Sequence, residues 1–512
     1  MTDSDAAGGA SETRIGPDQW AEHQVPPGRP QIVVGGPGTG KTAFLCNRIA
    51  AAIESGAVSP EETIVLTFSR SGANDIRTRL ASLLGSVSSR INVSTYHSIA
   101  MRIGEAHATD LGWTSPPSVL AGAEQERFVA SLLSDEDPAA WALPFRPILT
   151  SNEFAGEMTD FILRCHEHLK QPSDIAKEDR DLWKGIPGFF DRYLKVQVLR
   201  GRTDYGRVLS DAVAAIESSP SLSEQYRLVV ADEYQDTSPA QARLLLGISQ
   251  HTSDLIVAAD PYQSIYSFRG TDLDNVFSFP DATERALGKR SERLVLTTSF
   301  RVPSEILSSA VAVTRRELRG GAGKVLSTRT GGSVMAHTFS MRSEEADWIA
   351  SDIERLHLLE GVPLERIAVF MRTRTEFAAE LATALDQRSL PHTHDESRLA
   401  DEPIVRFVRD LVAATTGDDD ALRRVLLSPY IAAPVGSVTS LEQKLRSGSG
   451  LAELISETIT DGEGLAELIS DDSWATESPA PVGLWTVWTT LPQLASVAID
   501  DSRRSDRKAW AA

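Results

Sequence analysis

From about residue 31 the chain alternates short apolar runs with longer stretches in which apolar residues recur at helical spacing. Ile32-Val33-Val34 leads into a Gly-rich turn and then the helical pattern AFLCNRIAAAI. TIVLTF (63–68) precedes a polar amphipathic stretch reaching Leu84, and INVSTYHS (91–98), RLVVADE (227–233), DLIVAAD (254–260) and RLVLTT (293–298) follow. A continuous apolar run suits a strand buried on both faces, and strands separated by helices cross over into parallel neighbours. The pattern predicts an α/β fold with a mostly parallel, doubly wound sheet. Residues 106–215 lack that rhythm. Their Trp, Leu and Ile positions fall at helical spacing, which predicts a helical insertion within the first α/β domain. VMAHTF (334–339), a helix over 344–356 and RIAVFMR (366–372) predict a second α/β unit, and after about 400 the pattern is helical again.

The expected organisation is a disordered tail (1–14), a first α/β domain in two halves (15–105 and 216–295) around its insertion (106–215), a partial second α/β domain (296–400) and a partial helical insertion (401–512). LAELIS occurs at 451–456 and again at 465–470. Two copies are too few for a solenoid, so a local duplication in a helical region is expected.

Charge and cysteine content narrow the class. The chain has 512 residues, 51 Lys+Arg against 71 Asp+Glu, and a net charge of −20. That total argues against coating nucleic acid by overall charge, but it leaves room for a basic groove on one face. Lys289–Arg329 is such an island, with nine Lys/Arg against three Asp/Glu; a solvated helix face is the competing reading. Cys46 and Cys165 stand alone and far apart, which predicts reduced, buried thiols and a cytoplasmic protein. The opening MTDSDAAGGASETR has no apolar core of a signal peptide, and no apolar run reaches the ~18 residues of a membrane helix. No membrane partner is expected.

Gly35, Gly36, Pro37, Gly38, Thr39, Gly40, Lys41 and Thr42 fit G-x-x-x-x-G-K-[ST], with an apolar strand before and a helical pattern after. Glycines let backbone N–H groups converge on phosphate oxygens, and the helix N-terminus adds a favourable dipole. Lys41 would reach the β- and γ-phosphates and the Thr42 hydroxyl would ligate Mg²⁺. LVVADEYQD (228–236) supplies the complement: Asp232 at a strand's carboxyl end to hold Mg²⁺, and Glu233 as the base that orients and deprotonates water. The two motifs together predict nucleoside-triphosphate hydrolysis.

DEYQD, AADPYQSIYSFRGTD (258–272) and TTSFRVPSEIL (297–307) resemble superfamily 1 DNA helicases of the UvrD/Rep/PcrA type. IGPDQWAEHQ (15–24) is similar to that family's Q motif, and LTFSRSGANDIRTRL (66–80) and VSTYHSIA (93–100) to its motifs Ia and Ib. The resemblance runs from about 15 to 410. GGPGTGKT and LWTVW (484–488) are most similar to the actinobacterial AdnA-type branch. The resemblance implies a RecA-like P-loop domain with a helical insertion, then an incomplete second RecA-like domain with its own insertion, using ATP and Mg²⁺. It implies that Gln19 meets the adenine edge and that Phe300 packs on the base. Arg301 would contact the γ-phosphate, and Gln263 would sense it and couple it to DNA. Phe68, Tyr96, His97, Tyr266, Phe268 and Arg269 would line the single-stranded DNA path. A core aromatic competes for Phe68, Phe268 and Phe300, a structural histidine for His97 and a surface ion pair for Arg301.

Two segments depart from the family pattern: Thr67-Phe-Ser-Arg-Ser-Gly-Ala73 where relatives often read TFTNKAA, and Ala259-Asp-Pro-Tyr-Gln-Ser264 where they often read GDDDQS. No segment like motifs V or VI follows 410, and no nuclease domain is found, so the chain is expected to stop within the second insertion. The implied function is an ATP-dependent, 3′→5′ DNA helicase or translocase acting on single-stranded and 3′-tailed duplex DNA in repair or recombination. Two rivals stay open: a half-motor that needs a second helicase or helicase-nuclease subunit, and a nucleotide-dependent switch that never translocates.

Overall fold

The computed structural model describes residues 12–23, 28–178, 180–252, 254–266, 270–314, 325–372, 374–393, 403–445, 451–459, 462–476, 480–491 and 494. Two compact units divide at 335/336.

The first unit is built on β1 (Glu12–Ile15), β2 (Gln31–Gly35), β3 (Thr63–Thr67), β4 (Asn92–Thr95), β7 (Leu228–Ala231), β8 (Asp254–Ala259) and β9 (Glu292–Leu296), with β5 (Ser118–Val119) and β6 (Arg202–Thr203) forming a separate short parallel pair. The seven main strands run parallel in the order β1-β9-β2-β8-β7-β3-β4. Side chains alternate between faces, and the core divides accordingly. Ile32, Val34, Ile64, Leu66, Val229 and Val257 face one apolar cluster, while Val33, Val65, Leu228, Val230 and Ile256 face another. Covering the first face are α3 (Tyr96–Ala106), α8 (Tyr205–Ser218) and α9 (Pro239–Ile248); α1 (Lys41–Glu54) and α2 (Arg70–Leu84) cover the second. Fully burying one such Val, Leu or Ile contributes about 1.5–3 kcal/mol, so sandwiching each strand on both sides dominates the stability of this unit.

The insertion carries α4 (Gly122–Leu133), α5 (Asn152–Glu167), α6 (Pro172–Ala176) and α7 (Ile186–Arg200) around a core of its own that includes Phe128, Trp141, Phe154, Phe189, Phe190 and Tyr193. It closes near Asp204 rather than at 215, because α8 packs Val208, Leu209, Ala212 and Val213 back onto the sheet. Asp204 caps that helix by accepting from Arg207 N at 2.8 Å, which fixes where the chain re-enters the first domain.

Three expectations are corrected. Residues 12–14, read as part of a polar tail, pair with β9 as the edge strand β1. Residues 296–335 stay with the first unit instead of opening the second. Backbone and side-chain hydrogen bonds hold them there: Phe300 N donates to Gly38 O at 2.9 Å and Ser299 Oγ to Pro37 O at 2.8 Å. VMAHTF and RIAVFMR form no strand. Among the described residues neither has a ladder partner, and a strand without a ladder is not stable alone.

The rest of the second unit is helical among its described residues. Helix Arg342–Leu358 packs Ala346 and Ala350 against Leu381, Ala384 and Leu385 of helix Arg374–Gln387, and described helices between 403 and 490 share a separate apolar cluster that includes Phe407, Leu411, Val425 and Leu465. Both LAELIS copies are helical within it. No described helix is long and apolar enough to cross a membrane. Cys46 and Cys165 are free and buried, and burial pushes their thiols up to about 12 and about 11.

Candidate functional site

The functional residues of the first unit follow the carboxyl ends of adjacent strands, where a parallel sheet presents its loops to ligands. β2 lies between β9 and β8, and β8 lies beside β7. The P-loop after β2 is therefore flanked by Asp260 and Gln263 after β8, Asp232 and Glu233 after β7, and Ser299–Arg301 after β9. Gly38 and Gly40 take φ of +73° and +85°, a turn that side chains resist. Thr39 is fully buried and closes the turn by donating to Gly36 O at 2.8 Å.

Lys41 is buried. Its Nζ donates to Gly35 O at 2.9 Å and lies 3.7 Å from the Asp260 carboxylate. Thr42 Oγ1 donates to Asp232 Oδ2 at 2.7 Å. Burial and the charge of Glu233 push the Asp232 carboxyl up to about 6, while Thr42 and Lys41 pull it back. Glu233 adopts φ +53°, which throws its exposed side chain forward from the strand end. Gln235 Nε2 donates to Glu233 Oε2 at 2.7 Å. Gln263 Nε2 donates to Asp260 Oδ2.

A cavity of about 250 Å³ is lined by residues 38–43 together with Arg79, Glu233, Gln263 and Arg301. Cations from three segments, Lys41, Arg79 and Arg301, thus line one cavity together with the carboxylate of Glu233. An all-oxygen pair, the Thr42 hydroxyl and the Asp232 carboxylate, suits a hard cation such as Mg²⁺. The residues present fit both a triphosphate and its metal.

The chain matches the model of the UvrD/REP helicase N-terminal domain over residues 15–284 and that of the UvrD-like helicase C-terminal domain over 294–475. It belongs to the UvrD/Rep helicase family. ATP-dependent DNA helicase PcrA of Staphylococcus epidermidis is 25% identical over 414 residues, covering 78% of this chain and 54% of that protein. ATP-dependent DNA helicase UvrD1 of Mycobacterium tuberculosis is 26% identical over 435 residues, covering 80% and 54%. The chain spans about half the length of the curated relatives it matches.

Within this family site, Gln19 is exposed and its Oε1 accepts from Gly16 N at 3.1 Å. Phe300 is 41% exposed and stands edge-on to Trp20, with centroids 6.0 Å apart. On the other flank Phe68 and Tyr266 stack on one another at 4.8 Å and 26°. His97 meets Tyr205 edge-on at 5.8 Å, and burial lowers its pKa, favouring the neutral imidazole. Tyr96 is corrected: at 1% exposure it is a core residue of the α3 cluster, its hydroxyl buried without a hydrogen-bond partner, and it cannot line a surface path. Thr95 caps α3 by accepting from Ser98 N, and Tyr96, the first residue of that helix, packs into the core beneath the sheet's first face. Phe268 and Arg269 lie outside the described residues.

Four site residues were not assigned roles from sequence. Asp260 and Gln235 sit inside recognised motifs, so their position carried a signal. Arg79 lies within the polar pattern of α2 and carried none. Trp20 follows Gln19 directly, and its ring lies so close to Gly40 that a Cβ there would be 2.6 Å from it.

Proposed function

We propose that this chain is the nucleotide-hydrolysing part of an ATP-dependent DNA helicase or translocase that moves 3′→5′ on single-stranded DNA, entering 3′-tailed duplexes during repair or recombination. The observation that carries this reading is the convergence of Lys41, Thr42, Arg79, Glu233, Gln263 and Arg301 on one cavity beside the P-loop. The family's motif order and its relatives PcrA and UvrD1, both ATP-dependent DNA helicases, support the choice of ATP and DNA.

Lys41 and the backbone of residues 35–42 bind the triphosphate. Thr42 and Asp232 would hold Mg²⁺, which when bound neutralises phosphate charge. Glu233, steadied by Gln235, orients the attacking water and accepts its proton. Arg301 and Arg79 stabilise charge on the γ-phosphate, a contribution that can reach ~10³–10⁵ in rate for an arginine so placed. Gln19, Phe300 and Trp20 receive the base. Phe68 and Tyr266 offer ring faces to DNA bases, a grip indifferent to sequence.

A second reading is a half-motor that requires another polypeptide, and a specific feature favours it: VMAHTF and RIAVFMR are strand-like sequences without strand partners. ATP turnover with and without oligo-dT tests both. The motor reading expects DNA-stimulated turnover, reduced at least about 10²-fold in Lys41→Ala with an unchanged circular dichroism spectrum. Unchanged turnover in that variant overturns the site assignment. Stimulated turnover without strand displacement favours the half-motor.

A further inference from the structure

The segment after Glu233 is wired to the loop that follows β8 at successive points. Gln235 is fully buried and its amide spans two groups. One end donates to Glu233 Oε2 at 2.7 Å, and the other accepts from Asp260 N at 2.9 Å. The Gln235 carbonyl also accepts from Ser264 Oγ at 3.3 Å. The next residue, Asp236, accepts from the Ile265 backbone, while its Oδ1 is buried without a partner. Thr237 O then accepts from Asp272 N at 3.1 Å and from Asn275 Nδ2 at 2.9 Å. Three consecutive residues thus hold residues 260–265 on one side and Asp272 and Asn275 on the other, and Tyr266, the ring stacked on Phe68, directly follows the first of these stretches.

We infer that Gln235 is a positioning residue that transmits the state of the nucleotide site to the aromatic DNA-facing loop, with Asp236 and Thr237 as the further ties. The inference rests on the reading given under Proposed function and deepens it. Its physical basis is a carboxylate shared by two partners. Oε2 of Glu233 accepts the Gln235 amide while its other lone pairs are open to the attacking water, so a carboxylate that turns toward that water draws the amide with it. An amide drawn at one end reorients at the other, where it meets the Asp260 N–H at the root of the loop. Buried polar groups left unpaired cost about 1–3 kcal/mol, so the loop must follow the amide or lose that bond.

The test measures coupling between two binding events and needs no hydrolysis. The affinity of the full chain for fluorescent oligo-dT is determined with and without a non-hydrolysable ATP analogue and Mg²⁺. The ratio of the two affinities is the coupling factor, and a general weakening of either ligand does not mimic its loss. In the unaltered chain the factor is expected to be at least about fivefold. Gln235→Glu keeps the shape and the acceptor for Asp260 N–H but turns the arm facing Glu233 from donor to acceptor, and its factor should fall close to one. Asn275→Ala cuts only the far tie and should lower the factor part-way; it decides the matter if Gln235→Glu does not fold. A wild-type factor in either folded variant overturns the inference. If the unaltered chain binds both ligands with a factor of one, the inference fails while the proposed function survives. If it binds neither, both fail together.

Discussion

Leu228–Ala231 and Ile367–Phe370 are four-residue apolar runs of the same kind, LVVA and IAVF, yet only the first is a strand. LVVA lies between β3 and β8, has ladder partners on both edges, and is fully buried at all four residues. IAVF has no ladder, and its Phe370 is 94% exposed. An apolar run therefore states a capacity to be a strand; neighbours on both edges and helices on both faces realise it. Chemistry follows the same division. Asp232 and Glu233 are fixed because β7 is fixed, and no comparable set follows the second run.

The largest expected effect breaks that contrast directly. Val230 is 0% exposed in the core between the sheet, α1 and α2. Val230→Asp buries an unpaired carboxylate and should destabilise the first unit by more than about 4 kcal/mol, an exceptional value for one substitution. Phe370→Asp should stay within about 0.5 kcal/mol, as surface changes do. Denaturant unfolding followed by nucleotide protection measures both. Equal losses would mean that Ile367–Phe370 is paired in solution.

Next comes the strand end itself. Glu233→Gln keeps size and a hydrogen-bonding end but removes basicity, and should slow turnover by about 10²–10⁴ while nucleotide stays bound. Asp232→Asn should instead weaken Mg²⁺ dependence and nucleotide binding together. The raised Asp232 pKa gives this a pH signature: a proton competes with the metal below about 6, so Mg²⁺ affinity should fall as pH drops through that value. Identical behaviour of the two variants would remove the division of roles.

What the sequence made legible followed the same line. The six expected strands of the first sheet form because each apolar run meets the others, and the P-loop and DEYQD positions follow from strand ends. Tyr96 was misread because a motif position says nothing of which face of a helix turns inward. The edge strand Glu12–Ile15 was missed because ETRI is too short and polar to signal a strand, and its pairing with β9 comes from tertiary context. The second sheet was expected from VMAHTF and RIAVFMR on pattern alone. Arg79 and Trp20 owe their place to the return of distant segments onto the P-loop, which no local pattern encodes.

A smaller effect concerns the stacked pair. Phe68→Ala should lower affinity for oligo-dT by about 1–3 kcal/mol, with nucleotide binding unaffected. In the second unit the ring trio of His337, Phe339 and Trp348 offers a matched control, since none of its residues is assigned to the proposed path. Phe339→Ala should leave oligo-dT affinity alone. Loss of thermal stability in Phe68→Ala without loss of DNA affinity would make the Phe68–Tyr266 stack a packing feature of the first unit.

The smallest expected effect compares one carboxyl from each unit. Glu167, at the end of α5, has an Oε2 that is buried without a hydrogen-bond partner, and a methyl group on Gly270 would lie 1.7 Å from it. Burial pushes its pKa from 4.5 up to about 7, with Asp160 pushing the same way and Arg164 opposing. Between those values the folded chain holds a proton that the unfolded chain releases, so stability falls as pH rises through the window. Glu167→Gln is a permanently neutral replacement. It should match the parent at pH 5 and melt at a higher temperature at pH 8. Asp471 of the second unit is exposed and accepts from Ser473, which pulls its pKa down. Its contribution has the opposite sign, present above the ordinary carboxylate value and lost as pH falls, so Asp471→Asn should lower stability slightly at pH 7 and not at pH 3. Thermal melts at the four conditions read both, and a Glu167→Gln chain no more stable than the parent at pH 8 would mean that this carboxyl is solvated or paired.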